Sequence, residues 1–251
     1  MKNQKGVVNV FSTPYEDWSK RNSTYMEIEN LVTHKGLSLI EALTVNDKLL
    51  EVISTPFEAA TRILRKRVDN GLESHIDRAL DVSAEYRDLR ASMPQELPIP
   101  LDTYQNEYPD HDQTMADKAI KAHGIEMAEG QFLFHGGHWS SAKSILITSK
   151  LFSTSFCPQV ALRNAEWRGK AYEAGRVDLM VVRVTKPKTK AYVYSRTGNH
   201  GNEKEVVFAS GAQLTRVRET YITEMPVSKL TSNLQLKNKI VPAYLIEVEI
   251  S

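Results

Sequence analysis

Cysteine is nearly absent from the 251-residue chain. Cys157 stands alone, which excludes an intramolecular disulfide framework and a zinc knuckle built from several cysteines. Long apolar runs are missing too: no stretch approaches the ~20 residues a membrane helix needs, and the apolar run near the N-terminus is too short for a signal-peptide core. The expectation is a chain with no membrane partner and a cytoplasmic working site. Neither charge dominates, since 32 Lys and Arg against 31 Asp and Glu leave a net +1, so no global field draws the chain to nucleic acid. No Gly-x-Gly-x-x-Gly follows a strand-like run, which excludes dinucleotide binding of the strand-helix-strand kind and hydride transfer with it. Repeats and low-complexity segments are absent. At 41% hydrophobic residues the chain can nevertheless bury a sizeable core.

Residues 1–95 read as a helical region. Ser38-Leu-Ile-Glu41 is a capping box opening a stretch with Leu43, Leu49, Leu50 and Ile53, and Thr55-Pro-Phe-Glu58 is another, with proline at the first helical position. A third helix is expected through Leu72, Ile76, Leu80, Val82 and Leu89. Residues 96–130 read as an extended linker with a short helix: Pro94, Pro98, Pro100 and Pro109 punctuate its start, the helix lies around Met115 to Ala122, and Gly124 closes it. From 131 to 251 the pattern changes to short β-rich runs at Phe132–Phe134, Leu151–Ser155, Leu179–Val184, Ala191–Tyr194, Glu205–Phe208, Leu214–Arg218 and Tyr244–Ile250, with helices expected after Ser140 and from Pro158. Helices early and strands late make an α+β plan.

Three clusters in the strand-rich part can carry chemistry: Phe134-His-Gly-Gly137, Phe152-Ser-Thr-Ser-Phe156 and Asn202-Glu-Lys-Glu-Val-Val-Phe208. Each has an ordinary reading. Glycines after His135 allow a tight turn, serines on a strand are common, and charged residues guard sheet edges. Each also has a functional one. Glycines let a ligand approach the backbone while an imidazole bonds a ribose hydroxyl or phosphate. Strand alternation would put Glu203 and Glu205 on one face about 6–7 Å apart, where a core strand emerges at a cleft. His135 and His138 lack the further ligands of a metal site, and Cys157 before Pro158 reads as a packed thiol. No metal is expected.

The order of the three clusters, with the loop Thr197-Gly-Asn-His-Gly201 before the glutamates and Gly211-Ala-Gln-Leu-Thr-Arg-Val217 after them, resembles the ADP-ribosyltransferase superfamily. The Ser-Thr-Ser and Glu-x-Glu elements are similar to its bacterial-toxin branch. His135 stands where that branch carries arginine, and histidine-glycine there is similar to the diphtheria-toxin and poly-ADP-ribose polymerase branch. The resemblance implies a split β-sheet core, NAD⁺ as co-substrate, and transfer of ADP-ribose to a macromolecular acceptor, either a protein arginine or RNA or DNA.

By that resemblance Glu205 accepts the nicotinamide-ribose 2′-hydroxyl and stabilises the developing cation, Ser153 holds Glu205, and Glu203 engages the acceptor. His135, Gly136, Ser153, Thr154, Ser155 and Phe156 would line the co-substrate site. Tyr194, Arg196, Asn199 and His200, with Glu203, would form a mobile target-recognition loop. Lys186, Lys188 and Lys190 with Tyr192 and Tyr194 offer a surface for a nucleic-acid acceptor. Family analogy further implies a toxin or a phage or defence effector, with an antitoxin or immunity protein as partner. The competing expectation is a catalytically silent binding or inhibitory protein on the same scaffold.

Overall fold

The computed structural model describes residues 5–107, 112–139, 142–198 and 200–251. Pro109, Asn199 and the start of the helix expected after Ser140 lie outside them. The chain divides into two compact units, one of residues 11–55 and one of residues 1–10 and 56–251.

In the smaller unit, β1 (Tyr15–Asn22) is followed by helix α1 (Tyr25–Lys35), the single turn α2 (Leu39–Ala42) and β2 (Thr44–Ile53). The Ser38–Glu41 capping box forms as expected, but the helix it opens ends at Ala42. Thr44 to Ile53 instead pair antiparallel with β1, from Asn22↔Thr44 to Tyr15↔Ile53. This corrects the helical expectation for residues 43–53. A cap signals only where a helix starts, and the β-branched Thr44, Val45, Val52 and Ile53 favour a strand once a partner strand is within reach.

In the larger unit, α3 (Pro56–Lys66) starts at the expected proline and buries Ala59, Ala60, Ile63 and Leu64. The expected third helix is two, α4 (Asn70–Val82) and α5 (Ala84–Ala91). Ser83 separates them with extended backbone, and its hydroxyl accepts from the Tyr86 N–H to cap the second. The proline-rich stretch expected to be extended contains α6 (Ile99–Asn106), with Pro98 at its N-cap and Pro100 in the first turn. Proline costs nothing there because the first helical N–H groups have no intrahelical partner. Helix α7 (Gln113–His123), capped by Asp112, matches the expected short helix.

The strands that follow are β3 (Ile125–Glu126), β4 (Phe132–Gly137), β5 (Ile145–Ile147) and β6 (Phe152–Ser155). After helices α8 (Pro158–Glu166) and α9 (Lys170–Ala174) come β7 (Val177–Val184), β8 (Lys190–Val193), β9 (Glu205–Phe208), β10 (Gln213–Leu230) and β11 (Leu236–Ile250). They form one nine-stranded sheet in the order β3-β8-β9-β6-β4-β7-β11-β10-β5. Every neighbouring pair is antiparallel except β7 with β11. The fold is therefore α+β, helices α3 to α7 followed by a mixed, mostly antiparallel sheet.

Every expected strand is present, but the two runs near the C-terminus are the ends of a much longer hairpin, paired from Leu214↔Ile250 to Leu230↔Leu236. Where a helix was expected after Ser140, the described residues from 142 on lead into β5, which pairs with β10 through Ile145, Leu146 and Ile147. Among the described residues, no helix is long and apolar enough to cross a membrane.

The sheet is split at its middle. β4 pairs with β7 along its whole length, from Phe132↔Arg183 to Gly137↔Asp178, yet meets β6 at the single position Phe134↔Ser155. Beyond it the ladder stops and side chains take over.

Candidate active site

The gap between β4 and β6 is closed by an imidazole. His135 Nδ1 lies 2.6 Å from the Ser153 carbonyl oxygen, and its ring stacks at a tilt on Phe152, with centroids 4.3 Å apart. A carbonyl can only accept, so Nδ1 carries the proton and Nε2 presents a lone pair. Burial pushes the His135 pKa down to about 4, against the help of the Ser153 carbonyl, and the Lys170 ammonium acts in the same direction as burial. At neutral pH the ring is an uncharged acceptor at Nε2. Gly137 leaves it room: a Cβ there would come within 2.7 Å of Nε2.

Gly136 meets a packing need. A Cβ on Gly136 would lie 1.7 Å from the Ala161 carbonyl oxygen. The glycine is what allows α8 to pack directly on β4, which places the Ser-Thr-Ser strand and the helix after it against each other.

Glu205 opens β9 directly across from Ser155 on β6. It is only 8% exposed. Its two carboxylate oxygens have different partners: Ser153 Oγ donates to Oε1 at 2.5 Å, and Gln105 Nε2 of α6 donates to Oε2 at 3.1 Å. Burial raises the Glu205 pKa to about 7, with the Ser153 and Gln105 hydrogen bonds opposing the rise and the charge of Glu203 adding to it. The side chain is thus poised between its two protonation states near neutrality. Ser153 and Glu205 meet as expected. Gln105 was not anticipated: it lies a hundred residues away in a stretch read as linker, and the prolines that open α6 announce a helix start without saying where the helix docks.

The Glu-x-Glu spacing does not act through strand alternation. Residues Gly201–Glu203 form a 3-10 turn, and Lys204 takes a left-handed conformation, φ 51°, before β9 begins. Glu203 therefore sits on a turn. Its carboxylate is 3.6 Å from His200 Nδ1, and its carbonyl accepts from Ser155 Oγ at 2.6 Å. This corrects the expected pair of carboxylates on one strand face. The cause is the turn itself, since period-2 alternation applies only where the backbone stays extended.

Other expected site residues are consumed by structure. Thr154 Oγ1 donates to the Val206 carbonyl at 2.7 Å, and the Ser155 hydroxyl also accepts from the Cys157 N–H at 3.0 Å. Phe156 is fully buried and packs edge-on against Tyr86. Tyr194 is 3% exposed, donates its phenol to the Leu101 carbonyl at 3.0 Å and its N–H to the Glu205 carbonyl. Tyr192 is buried beside it, so the aromatic surface proposed beside Lys186 to Lys190 does not exist.

Arg196 is likewise held. It bonds Asp77 Oδ1 at 2.7 Å and Asp81 Oδ1 at 2.6 Å on α4. Buried Lys204 pairs with Glu73 Oε1 at 3.2 Å and Asp77 Oδ1 at 3.3 Å on the same helix. The segment expected to be a mobile recognition loop is clamped at both ends by ion pairs whose spacing in sequence gave no sign of them. His200, between the clamps, reaches Asn106 Oδ1 at 3.2 Å through Nε2. Among the described residues no cluster of three or more His, Cys, Asp or Glu is arranged to hold a metal ion.

No protein-family model matches the chain, and no curated protein matches it. Solved structures do. The chain is similar to the Vis toxin, an ADP-ribosyltransferase from Vibrio splendidus, at 14% identity over 78% of this chain and 91% of that one, with a TM-score of 0.41. It is similar to the enzymatic component C2-I of the C2 toxin from Clostridium botulinum at 10% identity over 65% of this chain, with a TM-score of 0.35, and spans 45% of that chain's length. A third is the ADP-ribosylating toxin BECa of C. perfringens, solved with NADH, at 11% identity over 84% of this chain and 53% of that one, TM-score 0.34. These are distant likenesses of fold, and the functional reading rests on the geometry of the site.

Proposed function

We propose that the protein is an NAD⁺-dependent mono-ADP-ribosyltransferase that breaks the bond between nicotinamide and ribose and transfers ADP-ribose to a macromolecular acceptor. The observation that carries this reading is the buried carboxylate of Glu205, held by Ser153 and Gln105 at the start of β9, one strand from the split whose gap is bridged by a neutral histidine. Leaving of neutral nicotinamide builds positive charge on the ribose, as in glycoside cleavage, and a fixed carboxylate that accepts the 2-hydroxyl strengthens as that charge grows. Glu205 fits that need once ionised. His135 Nε2 accepts from a ribose hydroxyl, and the Lys170 ammonium suits a pyrophosphate. The acceptor gives up one proton as its new bond to the ribose carbon forms, so NAD⁺ and acceptor yield ADP-ribosyl-acceptor, nicotinamide and H⁺.

Glu203, half-buried on its turn with its carboxylate 3.6 Å from His200 Nδ1, would engage the acceptor. With a second carboxylate there, a protein arginine is the acceptor class we favour. The decisive experiment incubates the protein and its Glu205→Gln variant with labelled NAD⁺ and a bacterial lysate, separates protein, RNA and DNA, and follows free nicotinamide. Label in the protein fraction that depends on Glu205 supports the proposal. Equal nicotinamide release by both proteins defeats it, and label in nucleic acid alone replaces the arginine acceptor.

A further inference from the structure

Helix α6 brings one more side chain to Glu205 than its strand neighbours supply. Leu101, fully buried, accepts the Tyr194 phenol through its carbonyl at 3.0 Å, and Asn106 meets His200 at 3.2 Å. Between these two anchors Gln105 points its amide at Glu205 Oε2, 3.1 Å away. The other oxygen is already taken by Ser153, so the two donors grip the carboxylate from opposite sides, one from β6 and one from α6. We propose that Gln105 is a positioning residue of the active site: its amide N–H fixes the second oxygen of Glu205 while Ser153 holds the first, and favours the carboxylate form that accepts a ribose hydroxyl.

The chemistry of the amide supports this role. An amide N–H stabilises a carboxylate without adding a charge that would compete for a cationic reaction centre, and Oε2 retains a second lone pair that can accept a ribose hydroxyl. The groups that bear on Glu205 are few and come from every side. Ser153 on β6 and Gln105 on α6 donate to it, Glu203 on the preceding turn repels it, and the buried Tyr194 phenol at the end of β8, which feels the Glu205 charge, is committed to Leu101. The Lys204 ammonium next in sequence is directed away, to Glu73 and Asp77. Gln105 is thus one of two neutral donors standing between Glu205 and protonation at neutral pH.

This inference rests on reading Glu205 as the carboxylate that stabilises the ribose cation, and its test has an arm that does not need activity. The Glu205 side-chain carboxyl is titrated by ¹³C NMR in glutamate-labelled full-length protein, assigned by its loss in Glu205→Gln, alongside the pH profile of nicotinamide release from NAD⁺. In Gln105→Met, which keeps length and loses the donor, the titration midpoint and the rising limb of the kcat profile both move up by about 1 unit. That lowers kcat at pH 7 roughly five-fold while kcat above pH 9 and KM stay near their original values. In Gln105→Lys the midpoint falls below that of the unmodified protein. An unmoved NMR midpoint in Gln105→Met overturns the proposal, as does an equal loss of kcat at every pH. Should that variant not fold, an unmoved or raised midpoint in Gln105→Lys overturns it. If Glu205→Gln still releases nicotinamide, the functional reading falls, while the NMR titration still decides whether Gln105 governs Glu205.

Discussion

The segment that ends in Glu205 is restrained from two sides by different chemistry. On the α4 side, Arg196 and Lys204 enter a network of Glu73, Asp77 and Asp81, and Lys204 is almost completely buried within it. On the α6 side the restraints are single hydrogen bonds with no ion pair, Gln105 to the Glu205 carboxyl, the Tyr194 phenol to the Leu101 carbonyl and His200 with Asn106. Breaking a buried ion pair strands a charge and costs several kcal/mol, whereas a hydrogen bond contributes about 1 kcal/mol net between neutral groups and about 2 kcal/mol to a carboxylate. The difference separates scaffold from adjustment. α4 fixes where the turn is, and α6 tunes the carboxylate that follows it.

The largest expected effect tests the point on which both restraints converge. Glu205→Gln should lower NAD⁺ cleavage by about 10³-fold, measured as nicotinamide release. The same variant should be the more stable protein at alkaline pH. The folded-state pKa of Glu205 is raised to about 7 from an ordinary 4.5, so the stability of the native protein falls as pH climbs from about 4.5 through 7. Removing the ionisable group should then gain on the order of 1–3 kcal/mol above pH 7 in urea unfolding. No gain would mean that the carboxylate is better solvated than its burial implies. For the unmodified protein, kcat should rise through pH 7 as Glu205 ionises.

Much of this site could be read in the primary sequence, and its limits have physical causes. The Ser153–Glu205 pair and the His135 position came from the resemblance carried by three motifs in order along the chain, and the strands that hold them, β4, β6 and β9, are neighbours in the sheet. The roles of Arg196, Lys204 and Gln105 were not legible, because each pairs a helix with the 196–205 segment across 100 to 131 positions and composition does not record such pairings. Tyr194 and Phe156 looked like ligand-facing aromatics beside a motif, and only the packing of α5 and α6 against them reveals that they are buried. In the smaller unit, the Ser38 box marked a true helix start, but nothing local told that β1 would claim Thr44 to Ile53.

Next in size comes the clamp itself. Lys204→Met should destabilise the fold by about 3 kcal/mol in urea unfolding, because Glu73 and Asp77 lose a buried cation. Loss below about 1 kcal/mol would erase the distinction between the two sides. Ser153→Ala should lower kcat at pH 7 by roughly ten-fold, with the pH midpoint raised in the same direction as for Gln105→Met, since it removes the other donor to Glu205. Smallest of all, Asn106→Ala should change stability by no more than about 0.5 kcal/mol and leave kcat within about two-fold, because its contacts, to His200 and to Asp102 one turn back, are all exposed. A loss as large as that of Lys204→Met would show that α6 carries as much of the turn as α4 does.

The single backbone pairing between β4 and β6 has a mechanical consequence. A sheet resists bending across any line that several inter-strand hydrogen bonds cross, and here every line except β4–β6 and the two-residue edge pairing of β3 with β8 is crossed by at least three residue pairs. Along the seam from Phe134 and Ser155 outward, shear is opposed by one pair of residues and by an imidazole bonded to a carbonyl. The softest line of the sheet therefore runs between His135 and Ser153, so a small rotation of the β4 half against the β6 half alters the spacing of the two groups while leaving the ladders on either side intact.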